Sequence, residues 1–183
     1  MRLFIAVNLS DEIKGKIIKI QDQLRSQCIR GTFSRPENLH LTLAFIGETS
    51  EDKLEMLYRI IGKTKTPPLE IVFSRSGCFT HSHKELWWIG ANKGTPGVSR
   101  LEDIHTQLIN DLSEAGFPVD RRPFNVHITL AREIRHNLPI TLDCPEIKIR
   151  ADHISLMKSE NICRVLTYTE IFKNDLQTVT NVK

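Results

Sequence analysis

The sequence contains no run of like charge, no apolar stretch long enough to span a bilayer and no closely spaced pair of cysteines. Its 25 Lys plus Arg are set against 22 Asp plus Glu, and the formal charge of +3 is spread along 183 residues without a polybasic tail. That excludes the broad electrostatic footprint of a protein that coats nucleic acid, while leaving room for an anionic substrate held by a few cations. Cys28, Cys78, Cys144 and Cys163 form no Cys-x-x-Cys pair, so neither a zinc framework nor a thioredoxin-type redox motif is expected, and reduced thiols are. Between Met1 and Ser10 one Arg precedes a short apolar run. Asn8, Ser10, Asp11 and Glu12 interrupt that run too early for a signal peptide, so an unexported, cytoplasmic protein is expected. What is present, 40% hydrophobic and 26% charged residues, is the composition of one globular domain, and it excludes disorder and a disulfide-stapled miniprotein. Function therefore has to come from a site.

Leu3 to Leu9 reads as a strand, and Ser10-Asp11-Glu12 as the N-cap and acidic first turn of a helix. Ile13, Ile17, Ile20, Leu24 and Cys28 form its apolar stripe, with Gly31 as the stop. Leu39 to Ile46 alternates as a strand, and Ser50-Glu51-Asp52 opens a helix carrying Leu54, Leu57, Tyr58 and Ile61, closed by Pro67-Pro68. Leu69 to Phe79 and Leu86 to Ala91 read as strands joined by the polar stretch Thr80 to Glu85. After the break at Pro96-Gly97, Leu101, Ile104, Leu108 and Leu112 mark a third helix ended by Gly116, and His127 to Ala131 is a short strand. Ile147 to Met157 and Cys163 to Phe172 flank Lys158-Ser159-Glu160-Asn161 as a hairpin.

The chain repeats itself. Strand Leu3 to Asn8, a helix and His40-Leu41-Thr42-Leu43 are answered by strand Leu86 to Ala91, a helix and His127-Ile128-Thr129-Leu130, the two histidines lying 87 residues apart. Two repeats are too few for a solenoid. The expected architecture is a single α+β domain over residues 1–183, with two pseudo-symmetric lobes, each an antiparallel sheet with helices outside, and a central cleft between them.

On a strand, His40 and Thr42 share one face while Leu41 and Leu43 share the other, and the second motif repeats the arrangement. If the aliphatic faces enter the core, two imidazoles and two hydroxyls converge across the cleft. One isolated His-x-Thr tripeptide is ordinarily the polar edge of an amphipathic strand; its recurrence on matching strands is what carries weight. The set suits phosphodiester chemistry without a metal or other cofactor. One imidazole takes a proton from water, the other gives a proton to the departing oxygen, and an ordinary His pKa of about 6.5 keeps both forms available. The threonine hydroxyls can hold the non-bridging phosphate oxygens as their charge grows.

These residues resemble the 2H phosphoesterases, and within them the RNA 2′,3′-cyclic phosphodiesterase (2′-5′ RNA ligase) group. The similarity runs through Arg2-Leu3-Phe4-Ile5-Ala6, Pro36 to Gly47, Leu86-Trp87-Trp88-Ile89-Gly90 and Phe124 to Arg132. Two positions depart from the group's usual pattern: Val126 stands where Pro is common and Phe33 where Trp is. The resemblance implies hydrolysis of a terminal RNA 2′,3′-cyclic phosphate to a 2′-phosphate, with His40 as proton donor and His127 as proton acceptor, and reversible 2′-5′ joining. The motifs themselves are symmetrical and do not order these roles.

Arg132, which follows the second motif as in the family, is the candidate phosphate contact. Strict alternation puts His127, Thr129 and Ala131 on one face, so Arg132 reaches the cleft only if the strand ends or bulges there. His81-Ser82-His83 has no carboxylate or Cys at ligand spacing and reads as a polar turn. His105 sits on a helical stripe and reads as a packing residue, and His136 and His153 as ordinary. One of Trp87 and Trp88 enters the core while the other faces the cleft or solvent. Arg30, Arg35, Arg121 and Arg122 could guide an RNA backbone, but they carry little weight and each, taken separately, reads as part of a solvated loop. Other readings remain: a phosphodiesterase for another small cyclic or 2′-5′ nucleotide, or a non-catalytic nucleotide- or RNA-binding module. No membrane and no obligate protein partner is expected, and the chain is taken as a monomer.

Overall fold

Ser10 ends the first strand and begins the first helix because its extended backbone leaves Oγ free to accept from the amide of Ile13, with Asp11 and Glu12 set against the positive helix end. The computed structural model describes residues 1–82 and 84–177. In chain order these form β1 (Arg2–Asn8), α1 (Asp11–Gln27), β2 (Arg30–Phe33), β3 (His40–Glu48), α2 (Leu54–Gly62), β4 (Leu69–His81), β5 (Lys84–Ala91), α3 (Pro96–Glu114), β6 (His127–Arg135), β7 (Ile147–Ala151), β8 (His153–Ile162) and β9 (Val165–Asp175). Short 3-10 turns at Pro36–Asn38 and Glu51–Lys53 lead into β3 and α2.

The strands pair in the order β7-β4-β5-β6-β3-β1-β8-β9, with β2 added on β6, and every pairing is antiparallel. The α+β class and the two half-sheets expected from the repeat are both present. The halves β3-β1-β8-β9 and β6-β5-β4-β7 correspond strand for strand and touch through one rung, Leu41 opposite Ile128. Only Asp152 separates β7 from β8, at the far sides of the two halves. The sheet must therefore curl until those strands approach each other.

One face of the sheet carries the core. Leu3, Ile5 and Val7 of β1, Leu41 and Leu43 of β3, Ile89 of β5 and Ile128 and Leu130 of β6 join the stripes of all three helices in a single apolar cluster. The helices cross over: α1 follows β1 but packs on β6 and β7, and α3 follows β5 but packs on β3 and β4. α1 thus lies against the opposite half, while α3 bridges β3 of the first half and β4 of its own. The opposite face is left to Phe4, Ala6, Met157, Tyr168 and the His-Thr pairs.

Three expectations change. Gly31 lies inside β2, a strand the sequence does not announce; a Cβ there would meet Ile134 Cδ1 at 2.2 Å, so the glycine serves close strand packing, and α1 ends instead where Cys28 turns extended. Ile147 to Met157 is two strands in different half-sheets. The hairpin turn lies at Cys163-Arg164, whose φ of +50° and +67° suit a two-residue type I′ turn, and Lys158 to Asn161 are strand. Glu160 and Asn161 of that quartet lie beyond Ser159, where the ribbon pairs only with β9.

Candidate active site

His40 opens β3 and His127 opens β6, so each follows a loop whose last carbonyls have no ladder partner. Each Nδ1 lies 2.7 Å from the carbonyl oxygen two residues earlier, that of Asn38 and that of Asn125. A carbonyl only accepts, so both Nδ1 atoms carry the proton and both Nε2 atoms are left for chemistry. His40 Nε2 is 2.9 Å from Thr42 Oγ1. Asn38 and Asn125 went unnoticed in the sequence, although they extend the repeat: Asn-x-His-x-Thr-Leu-Ala stands at Asn38 to Ala44 and again at Asn125 to Ala131.

Arg132 reaches the cleft because β6 bulges. Trp87 pairs with Ala131 and Trp88 with Thr129, leaving Leu130 without a partner on β5; Leu130 and Ala131 both turn to the core, and Arg132 takes the face of His127 and Thr129. The same irregularity recurs in β3, where Ile5 pairs with Ala44, Ala6 with Thr42, and Leu43 is the extra residue. At the position matching Arg132 the first half carries Phe45, which is 52% exposed. The duplication therefore supplies one cation and one apolar ring at equivalent places.

The carbonyl of each bulged leucine accepts from a helix side chain, that of Leu130 in addition to the backbone N–H of Ser34 at 2.9 Å. Gln21 of α1, 2% exposed, donates Nε2–H to Leu130 O at 2.7 Å and to Ser34 O at 2.9 Å. His105 of α3 donates Nδ1–H to Leu43 O at 2.8 Å, and its ring stacks on Phe124 with centroids 4.1 Å apart. The packing role expected of His105 is thus a pseudo-symmetric counterpart of Gln21, with the added feature that it touches the segment leading into His127.

Aromatic rings wall both imidazoles. Phe4 and Tyr168 lie 4.9 and 5.2 Å from His40, and Phe79 and Trp88 lie 5.4 and 6.5 Å from His127. Trp88 is the cleft-facing tryptophan, while Trp87 is in the core with Nε1 donating to Glu85. The Trp88 indole lies flat over Gly77 and Gly90, where an added Cβ would come within 2.6 and 2.7 Å of it. Its Nε1 is the sole buried side-chain polar atom without a partner among the described residues.

Burial holds both imidazoles below the ordinary histidine range, against the opposing effect of the Asn38 and Asn125 carbonyls. The Arg132 guanidinium pushes both further down, and His127 does the same to His40. One cation acting on both rings, and one ring on the other, means that His40, His127 and Arg132 share one electrostatic neighbourhood.

The other candidates disperse. Arg122 is chelated by Asp120 at 2.8 and 3.0 Å, Arg121 bonds Ser113, and Arg35 pairs with Glu37. Phe33 packs under the Arg25 guanidinium beside α1, and Val126 is core. His136 pairs with Glu85. His81 is exposed at the end of β4, and His83 lies outside the described residues. Among the described residues no group of three His, Cys, Asp or Glu is arranged to hold a metal ion, and no helix is long and apolar enough to cross a membrane.

A family profile described as LigT like Phosphoesterase matches residues 7–88 and 95–166. A protein of Methanocaldococcus jannaschii named RNA 2′,3′-cyclic phosphodiesterase is 29% identical over 168 residues, 87% of this chain and 91% of its own length. The Escherichia coli protein of the same name is 32% identical over 135 residues, 72% of each chain. Among solved structures, E. coli LigT in apo form superposes with a TM-score of 0.83 at 26% identity, covering 97% of this chain and 98% of its own, and the same protein has been solved with 3′-AMP. Both His-Thr motifs lie inside the matched spans, and this chain belongs to the LigT-like phosphoesterase family.

Proposed function

We propose that this chain hydrolyses the 2′,3′-cyclic phosphate end of RNA to a 2′-phosphate and a free 3′-hydroxyl. The observation that carries the reading is the pair of imidazoles that each offer Nε2, fixed by equivalent Nδ1–carbonyl bonds, with Arg132 acting on both. His127 takes a proton from water, the water oxygen attacks phosphorus in line with the 3′-oxygen, the P–O3′ bond breaks, and His40 protonates the leaving oxygen. Thr42, Thr129 and Arg132 hold the non-bridging oxygens as negative charge develops. The order of donor and acceptor follows the family resemblance. A 5′-hydroxyl in place of water gives a 2′-5′ linkage by the same bond changes.

The activity named for the relatives and the 3′-AMP bound by E. coli LigT support a nucleotide substrate. The same proposal takes residues 1–183 as one internally duplicated domain, monomeric and cytoplasmic, needing neither metal nor cofactor. The test is incubation in EDTA with an oligoribonucleotide ending in a 2′,3′-cyclic phosphate, with His127→Ala beside the parent. A 2′-phosphate formed by the parent alone is expected. Undiminished turnover by His127→Ala overturns the mechanism. Parent binding without turnover on any cyclic or 2′-5′ nucleotide makes the chain a binding module.

A further inference from the structure

Beyond the phosphate-facing residues, the open face of the first half-sheet holds a second polar group that the hydrolysis does not use. Asn8 of β1 stands directly across the ladder from His40. Its Nδ2 donates to Glu170 Oε2 at 2.8 Å and lies 3.2 Å from Ser155 Oγ. Ser155, completely buried in β8, also donates to Glu170 Oε2, and His153 Nε2 lies 3.9 Å from the same oxygen. Glu170 Oε1 has no hydrogen-bond partner among the described residues, and the side chain is 36% exposed. Two strands thus spend a buried serine and an asparagine on fixing one oxygen of a carboxylate, and leave the other without a partner on a half-exposed side chain.

Strand alternation fixes the location. Met157 pairs with both Phe4 and Glu170, so all three share the open face, and Tyr168, two residues before Glu170, brings its ring to 5.2 Å from His40. The carboxylate is therefore within a nucleoside's reach of the catalytic pair. An acid there repels phosphate, so its partner is a hydrogen-bond donor. A terminal nucleotide with a 2′,3′-cyclic phosphate has both ribose oxygens esterified, so its N–H donors are all on the base. Adenine and cytosine offer an amino group and uracil one imino N–H; guanine alone offers an imino N–H and an amino group side by side, which can converge on the two lone pairs of the one free oxygen, Oε1.

We propose that Glu170, held by Asn8 and Ser155, is a base-reading acceptor beside the catalytic cleft and favours a terminal guanine. This rests on the cyclic phosphodiesterase reading above. The experiment measures kcat/KM of the parent and of Glu170→Gln on oligoribonucleotides identical except for a terminal guanosine, inosine or uridine 2′,3′-cyclic phosphate. Gln keeps an oxygen for Asn8 and Ser155 and turns an N–H outward, so the strands remain tied while the reading edge changes from acceptor to donor. The parent is expected to prefer guanosine over uridine about tenfold or more, with inosine, which lacks the amino group, between them. In Glu170→Gln that preference collapses. Thr169→Val, on the opposite face of β9, is the control and keeps it. A parent that cleaves all three equally, or a Glu170→Gln that slows all three by the same factor, overturns the inference and leaves the phosphodiesterase intact. A parent inactive on all three refutes the underlying reading instead. Should Glu170→Gln fail to fold, the guanosine-to-inosine ratio of the parent decides alone.

Discussion

Removing the ring of His105 should damage the first motif from behind, and the second half of the molecule shows which replacement repairs it. The Leu43 carbonyl, turned out of the ladder by the bulge in β3, receives Nδ1–H from His105 at 2.8 Å. In His105→Ala the carbonyl faces packed helix and sheet without a donor, which costs about 1–3 kcal/mol. The stack on Phe124, with rings 8° from parallel, adds about 0.5–1.5 kcal/mol. The total is about 1.5–4.5 kcal/mol, or a fall in melting temperature on the order of 10 °C for a chain of this size.

His105→Gln places on α3 the amide that Gln21 already uses on α1 for the matching carbonyl. It restores the hydrogen bond and forfeits only the stack, so its loss is about 1 kcal/mol, or ~3 °C. Urea unfolding with a common m-value measures the difference, and turnover follows it: His105→Ala lets the bulge relax, moving His40 and Thr42, and lowers kcat more than His105→Gln does. Equal destabilisation by Ala and Gln would refute the reasoning, because ring packing rather than the donated bond would then be what holds β3.

Two further outcomes follow from the depressed imidazoles. With both histidines below their ordinary value of about 6.5, the bell of kcat/KM against pH centres on the acid side of that value; Arg132→Gln removes a cation that lowers both, so both limbs move to higher pH while kcat/KM drops about 10–100-fold. Limbs that stay in place in Arg132→Gln would separate Arg132 from the two rings. Folding shows the same linkage: neutral burial stabilises the protein fully above the unfolded pKa and that contribution is lost as pH falls through the depressed folded values. The unfolding free energy of a His40→Gln, His127→Gln double variant should therefore change less between about pH 7 and 5 than the parent's. Parallel curves for the two proteins would contradict this.

The repeat, the three helical stripes and the side-chain sets of both motifs were legible because each is a periodicity, and buried periodicity survives folding unaltered. What stayed hidden depends on partners distant in the chain. Gly31 resembles a helix stop until Ile134 is seen to occupy the space of a side chain. Ile147 to Met157 reads as one strand, since nothing local marks Asp152 as the crossing between half-sheets. Cys163-Arg164 turns with left-handed residues that carry no glycine or asparagine signal. Arg132 violates alternation, and only the bulge, whose Leu130 carbonyl is met by Gln21 and Ser34 from other elements, delivers it to the cleft.

Duplication and divergence divide the labour of this cleft. Where acid-base chemistry needs two equivalent groups, the halves agree down to the carbonyl that fixes each tautomer. At the position after each bulge they differ: Arg132 in one half, an exposed Phe45 in the other. A 2′,3′-cyclic phosphate end has no twofold symmetry either, since its charge lies at phosphorus and its flat apolar surface at the base. Two identical halves would set two cations beside the imidazoles and hold the like-charged pair close, or leave none at all. One cation lowers both imidazoles together, and the equivalent place in the other half holds a ring whose centroid lies 6.3 Å from that of Phe4, so the halves agree in their acid-base groups and differ in charge.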